Sequence, residues 1–311
     1  MNAAPREIKA EGRADALDWA LFAALVAIGG SSFAFIKEAI SSVPPAVVAV
    51  GRLWVGAAFL YTVMRLGGEK PSPMLTRSTG RLRLTPAFAS MLAVSAVGYA
   101  VPFLIFPWAQ QFVESGLAGL YMALMPLWTI GLAHFFAGEK LTPVKTAGFA
   151  LGFVGVGILM GGDALAGAAT SSLTAQAALA LATLCYAVSV IISRRAAYVP
   201  PKIFAFVTVF GGAILATPAL LFVDLDPAAW SLGSVLSVTA LGLGPTGIAG
   251  LLIIIVVQRV GAGFMAFANY LTPVCAVALG ALLFHERLHW SAFVALIIVL
   301  TGVAVSRLSR S

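Results

Sequence analysis

Apolar residues come in runs of roughly 20, the length an α-helix needs to cross about 30 Å of hydrocarbon, and polar residues fill the short turns between. The pattern predicts ten spans, at about 17–37, 45–64, 86–109, 115–136, 143–161, 172–193, 202–223, 232–257, 262–284 and 290–306. Gly and Pro interrupt several of them, which a bilayer tolerates where neighbouring helices or a water-filled cavity satisfy the freed backbone groups. The expectation is an all-α membrane protein with ten transmembrane helices.

The pattern is also duplicated. Setting Pro126 on Pro273 (273 − 126 = 147) brings Glu139 onto Glu286, Lys140 onto Arg287, Gly116 onto Gly263 and Gly155 onto Gly302, without gaps. Each copy is an apolar run with a central proline, a turn opening on an acid–base pair, and a second apolar run. Earlier in each half, Val43-Pro44-Pro45 matches Val199-Pro200-Pro201 (199 − 43 = 156), and Gly56-Ala57 falls on Gly212-Ala213. Five helices per half is an odd number, so the second half enters the membrane from the opposite side, and the two repeats are inverted. The organisation expected is a cytoplasmic tail at 1–16, a five-helix repeat at 17–161, a second at 172–306, and a cytoplasmic tail at 307–311.

Composition closes off a soluble fold. With 60% hydrophobic residues, 10% charged and a mean hydropathy of +1.00, the chain cannot hide its apolar surface in one soluble core. The net charge of +7 points to a membrane surface rather than nucleic acid, because the bases lie at helix ends and no basic–aromatic patch stands apart from them. With the N-terminus inside, sixteen of the nineteen Lys and Arg residues fall on inner segments, Lys37 and Arg287 on outer turns, and Arg52 within a helix. That asymmetry predicts a multi-pass protein of the cell (inner) membrane with both termini cytoplasmic. The first sixteen residues are too charged for a signal peptide, so the first helix is retained. The connection at about 65–85, with Pro71, Pro73 and five bases, reads as a solvated loop near anionic headgroups. Cys185 and Cys275 sit inside apolar runs and read as small buried side chains.

The inverted halves, the proline followed by Glu-Lys or Glu-Arg (Pro126 to Glu139, Pro273 to Glu286) and the Arg52 of GRLWVGAAFL together resemble the drug/metabolite transporter superfamily, and within it the EamA-type carriers. Over about 17–307 the chain is similar to the YddG-type exporters of aromatic and other neutral amino acids. The resemblance implies a central cavity between the halves, a small-molecule substrate and alternating access. The repeat partner of Arg52 is Thr208, so any role for that Arg belongs to one half only.

Binding a zwitterion needs polar and aromatic groups at mid-depth. Candidates are Ser32 on helix one, Tyr99 on helix three, and Tyr121, Met125 and Trp128, at i, i+4 and i+7 on one face of helix four. Tyr186 on helix six, Thr246 on helix eight, and Asn269 and Tyr270 on helix nine complete the set. Tyr121, Met125 and Trp128 serve equally as helix packing, and Asn269 as an interhelical bond. Pro107, Pro126, Pro245 and Pro273 are candidate hinges, or static kinks. The proline of Gly242-Leu243-Gly244-Pro245-Thr246-Gly247 frees a carbonyl on the preceding turn, which either meets a substrate headgroup or marks close small-residue packing. Trp108 reads as an interfacial anchor, His134 as packing or interfacial, and Glu139 and Glu286 as fixing their hairpins. Arg52 is left with three readings: snorkelling outward, pairing with Glu38 or Glu114, or holding a substrate carboxylate.

No Asp or Glu falls at mid-depth in any span, which favours facilitated transport over ion coupling, with Asp18, Glu38 and Glu114 at helix ends as the remaining routes for a proton. The function expected is export of small neutral metabolites, above all amino acids; another small metabolite or a drug-like compound is the alternative. An intramembrane enzyme is disfavoured, since there is no HExxH run, no pair of buried aspartates and no Gly-x-Ser-x-Gly. A purely structural protein has no need of a pseudo-symmetric pivot. No catalytic residue, metal site or cofactor is called for. The partners are a small-molecule substrate and the lipid bilayer, and one chain suffices for the pathway.

Overall fold

Caps and prolines set the helix starts. The computed structural model describes residues 15–69, 75–78, 81–137, 142–165, 170–196, 198–260, 268–286 and 290–308. Helix α1 (Ala16–Ala39) opens on a capping box in which Asp15 accepts the backbone N–H of Asp18 at 2.8 Å and Asp18 accepts that of Asp15 at 3.1 Å. Helix α2 (Pro45–Leu66) starts on a proline, whose missing N–H is no loss in a first turn. An antiparallel hairpin follows, β1 (Leu75–Ser78) with β2 (Arg81–Leu84), Leu75 opposite Leu84 and Ser78 opposite Arg81. Helix α3 (Pro86–Ala109) is capped by Thr85, which accepts the Phe88 N–H at 3.2 Å. Helix α4 covers 115–137, α5 Pro143–Leu165 and α6 Thr170–Arg195. Helix α7 (Pro201–Phe222) begins on a proline as α2 does. Helix α8 covers 232–260 behind the Ser231 cap, α9 is Ala268–Phe284 and α10 Trp290–Leu308.

Seven of these helices, α1 to α4 and α6 to α8, are long and apolar enough to cross a membrane, and shorter apolar helices run over Leu271–Phe284 and Trp290–Gly302. Large apolar side chains such as Ile214, Leu236, Leu282 and Ile297 are exposed on the outside of the bundle, as a lipid-facing surface requires. Helix limits agree with the expected spans to within a few residues; the start expected for the ninth span, 262–267, lies outside the described residues. The connection read as a plain loop holds the β-hairpin instead. Its signal was the alternation of Arg81-Leu82-Arg83-Leu84 after Gly80, obscured by the prolines and bases around it.

Two helices widen in the middle. In α3 the turn over Ser95–Ala100 is π-helical, and in α8 so is the turn over Gly242–Ile248; the two starts are one repeat shift apart (242 − 95 = 147). Pro245 lacks the N–H that would bond Leu241 C=O in an α-helix. That carbonyl is not left free, because Thr246 Oγ1 donates to it at 2.9 Å. In α3, Ser95 Oγ donates to Met91 C=O at 2.8 Å.

At the widened turns the halves of the chain come into close contact. Helix α2 packs on α7 and on the π turn of α8, while α7 packs on the π turn of α3. A Cβ on Gly56 would fall 2.6 Å from Thr246 Cγ2, and a Cβ on Gly212 would fall 2.7 Å from Tyr99 Cβ. These contacts are repeat equivalents of each other (212 − 56 = 156, 246 − 99 = 147). Helix α1 packs on α9 and α8, and correspondingly α6 packs on α4 and α3. Helices α5 and α10 form a further pair. There a Cβ on Gly302 would lie 2.5 Å from Gly148 C=O and 2.7 Å from Gly152 N, so Gly148 and Gly152, four residues apart, let the α10 backbone rest directly on α5.

Candidate transport site

The polar groups that the fold brings together centre on the two widened turns. Arg52, on α2, is 5% exposed. Its Nε–H donates to Thr246 Oγ1 at 3.3 Å, and its guanidinium carbon lies 4.1 Å from the centre of the Phe103 ring on α3. A relay therefore runs from the Arg52 N–H to the Thr246 hydroxyl and on to Leu241 C=O, the carbonyl that Pro245 frees. Tyr186 on α6 lies close enough to feel the charge of Arg52, and its ring stacks on Phe106 of α3. Tyr99 packs edge-on against Phe103, and its Cβ lies over Gly212 of α7, the helix that carries Thr208. The pair Arg52–Thr246 on α2 and α8 is thus answered by Thr208–Tyr99 on α7 and α3. One pair carries a charge and the other does not.

Of the readings open for Arg52 in the sequence, two fall away. It does not reach outward, being buried, and among the described residues it forms no ion pair with Glu38, Glu114 or any other carboxylate.

The remaining candidates are spread around this centre. Tyr121 is 1% exposed and donates its hydroxyl to Gln176 Oε1 at 2.8 Å, and Trp128 Nε1–H donates to Thr183 Oγ1 at 3.2 Å. Both steps are seven residues, so one face of α4 is bonded along one face of α6. Met125, on the same face, is half-buried, as is Ser32 on α1. The side chains of Asn269 and Tyr270 lie outside the described residues. Pro107 stands near the end of α3, Pro126 follows a 3-10 turn at Met122–Leu124, Pro273 lies inside α9, and Pro245 sits in the π turn. A recess of about 10 Å³ between α4 and α10, lined by Tyr121, Leu124, Ala295 and Val299 among others, has room for about one water.

Glu286 does more than fix its own hairpin. His285 adopts a left-handed backbone (φ 53°), and the carboxylate passes over Gly280 to the start of α4. It accepts Ser115 N–H at 2.8 Å, Ser115 Oγ–H at 2.9 Å and Gly116 N–H at 2.9 Å, and so caps a helix of the other half with a full charge at the positive end of its dipole. Glu139 lies outside the described residues. At the opposite end of α4's partner set, Arg259 at the end of α8 bonds Asp18 and Asp15 of α1, and the Asp18 bond above all holds the guanidinium above its ordinary range. Lys202 pairs with Glu69 at 3.3 Å. Trp108, exposed and edge-on to Phe112, is placed as an anchor would be. Sequence reasoning missed Gln110, whose amide is fully buried with neither Nε2 nor Oε1 bonded, and Gln176 and Thr183, whose seven-residue spacing was a readable signal. Among the described residues no three His, Cys, Asp or Glu side chains come together as a metal site.

A membrane helical bundle built from a duplicated unit, with polar groups gathered at helix breaks between the copies, defines a membrane transporter. The chain belongs to the EamA-like transporter family, whose pattern matches it twice, over residues 17–161 and 173–308. It is 31% identical over 193 residues to the aromatic amino acid exporter YddG of Ancylobacter novellus, which covers 61% of this chain and 66% of the relative. It is 27% identical over 292 residues to the uncharacterized inner membrane transporter YedA of Escherichia coli K12, covering 94% of this chain and 90% of the relative. A solved crystal structure superposes with a TM-score of 0.64 at 22% identity, covering 95% of this chain and 98% of the other, and shares the fold.

Proposed function

We propose that this transporter exports neutral amino acids, aromatic ones included, by rocking two inverted five-helix halves, 17–161 and 172–306, about a central site. Ten helices then cross the inner membrane, with both chain ends and most of the Lys and Arg residues on the cytoplasmic side. The observation that carries the reading is the matched pair of close contacts, Gly56 on Thr246 and Gly212 on Tyr99, each at a widened turn. Two equivalent π-helical turns give each half a place to bend against the other. The 31% identity to a relative named an aromatic amino acid exporter supports the substrate class. Tyr99, Tyr186 and Thr246 are the proposed binding residues at the centre, with Ser32, Met125, Asn269 and Tyr270 around them. Tyr121 and Trp128 hold α4 to α6. Pro107, Pro126, Pro245 and Pro273 are the proposed hinges.

A neutral zwitterion moves no net charge, and the Asp18 carboxylate is engaged by Arg259, so the carrier is read as facilitative. Liposomes containing the purified protein should take up labelled neutral amino acids saturably, at rates indifferent to an imposed pH gradient. Uptake that follows the gradient would overturn the facilitative reading, and the absence of any amino-acid uptake would overturn the substrate class.

A further inference from the structure

We propose that Arg52 is the carboxylate anchor of the transport pathway, so that the substrate is a small molecule carrying a carboxylate and its amide or amine analogue is refused. The inference rests on the amino-acid reading above and narrows it to one chemical group and one residue.

A guanidinium inside a membrane helix needs an anion or a full set of acceptors, because its desolvation is otherwise uncompensated. Among the described residues Arg52 has neither. Of its five N–H donors, the Nε–H goes to Thr246, and the ring of Phe103 lies against the cation. Among the described residues no carboxylate forms an ion pair with it. The terminal nitrogens Nη1 and Nη2 have no hydrogen-bond partner among the described residues, yet neither is an enclosed orphan of the kind Gln110 presents. Arg52 as a whole keeps 5% of its surface exposed. The one nitrogen tied down is the one that fixes the plane of the fork, which leaves the two parallel N–H groups that grip a carboxylate in bidentate fashion. Tyr186, near enough to feel the cation, adds a phenol beside the same charge.

The position of the anchor suits a moving carrier. Arg52 belongs to α2, Phe103 to α3, Tyr186 to α6 and Thr246 to the π turn of α8, so a carboxylate bound there touches both halves at a bend. Thr208 occupies the equivalent place in the second half, leaving a single positive charge and hence room for a single carboxylate.

The test uses the full chain in liposomes with labelled L-phenylalanine, and two competitors: phenylacetate, which lacks the amine, and L-phenylalaninamide, which lacks the carboxylate. Phenylacetate should compete, and the amide should require about 100-fold more, the discrimination a charge-assisted bidentate contact provides. Arg52→Gln should raise KM for phenylalanine about 100-fold and erase the difference between the competitors, with Arg52→Lys in between. If Arg52→Gln does not purify as a folded species, the wild-type competition still decides, and Thr246→Val, which keeps the charge but loses its orienting acceptor, should raise KM without lowering kcat in proportion. Thermal stabilisation of the purified protein by phenylacetate provides a readout free of transport. Phenylalanine uptake with equal potency of the two competitors would sink the anchor and leave the amino-acid reading standing. No phenylalanine uptake, but stabilisation by phenylacetate that Arg52→Gln abolishes, would do the reverse. Neither uptake nor stabilisation would overturn both.

Discussion

Hydroxyl groups do much of the work at single residues in this protein, because a bilayer offers no water to a freed backbone carbonyl. Thr246 stands under Leu241 C=O, the Ser95 hydroxyl adds a second donor to Met91 C=O beside its own N–H, and Tyr121 and Trp128 spend their polar hydrogens on Gln176 and Thr183. The consequence for Tyr121 is testable. Tyr121→Phe leaves Gln176 Oε1 without this donor, and it should destabilise the protein by about 0.6–2 kcal/mol, the range for interhelical bonds in membranes, when unfolding is followed in detergent. KM for phenylalanine should stay within about two-fold, because the hydroxyl holds helices and not substrate. A large KM change at unaltered stability would return Tyr121 to the binding site. At this scale the sequence was informative about which residues were polar in an apolar context, and silent about where they point. The spacing of Tyr121, Met125 and Trp128 described a face of α4, but whether that face meets a cavity or α6 depends on a helix more than fifty positions away. Arg52 was conspicuous in the sequence; only the fold brings Thr246 and Phe103 against it and, among the described residues, leaves it without a carboxylate partner.

Helix limits were the most legible feature, because the caps and prolines that start helices are local and the bilayer sets their length. Helix breaks were half legible. Pro245 announced one; its counterpart over Ser95–Ala100 holds no proline of its own but is followed by Pro102, whose missing N–H would bond Gly98 C=O, and its recognition needed the repeat shift. The β-hairpin was hidden because its alternation spans only four residues a side. Helix pairing was marked by glycine but not specified by it, since a glycine says that something comes close and not what. The α5–α10 contact shows how little tolerance such a pairing has. Gly302→Val places branched carbons where Gly148 C=O and Gly152 N already sit, so the helices must separate along the whole seam. A loss of more than about 3 kcal/mol is expected, in the range of severe core overpacking, read as a fall in the folded fraction after extraction in mild detergent. Gly157, which has open space in front of it, should accept Ala without such a fall.

Across the whole molecule, the two halves are bound to each other more than to themselves: α1 on α9, α2 on α7, α4 on α9, and α5 on α10. Glu286 is the most explicit of these ties, with three donors of the other half on one carboxylate. Glu286→Gln keeps the size but loses the charge and one acceptor, and should cost about 1–3 kcal/mol in thermal unfolding; an unchanged melting temperature would mean that water serves the end of α4 equally well. The same tie has a bearing on biosynthesis. The carboxylate is separated from Ser115 by 171 positions. At elongation rates of about 5–20 residues per second, the ribosome delivers that acid roughly 10–30 s after the residues it caps. Throughout that interval the start of the nascent fourth helix lacks this carboxylate, so the early product is an unfinished intermediate. A stop codon after the first repeat should therefore yield a fragment that is inserted and then degraded, and supplying the second repeat as a separate polypeptide should rescue it.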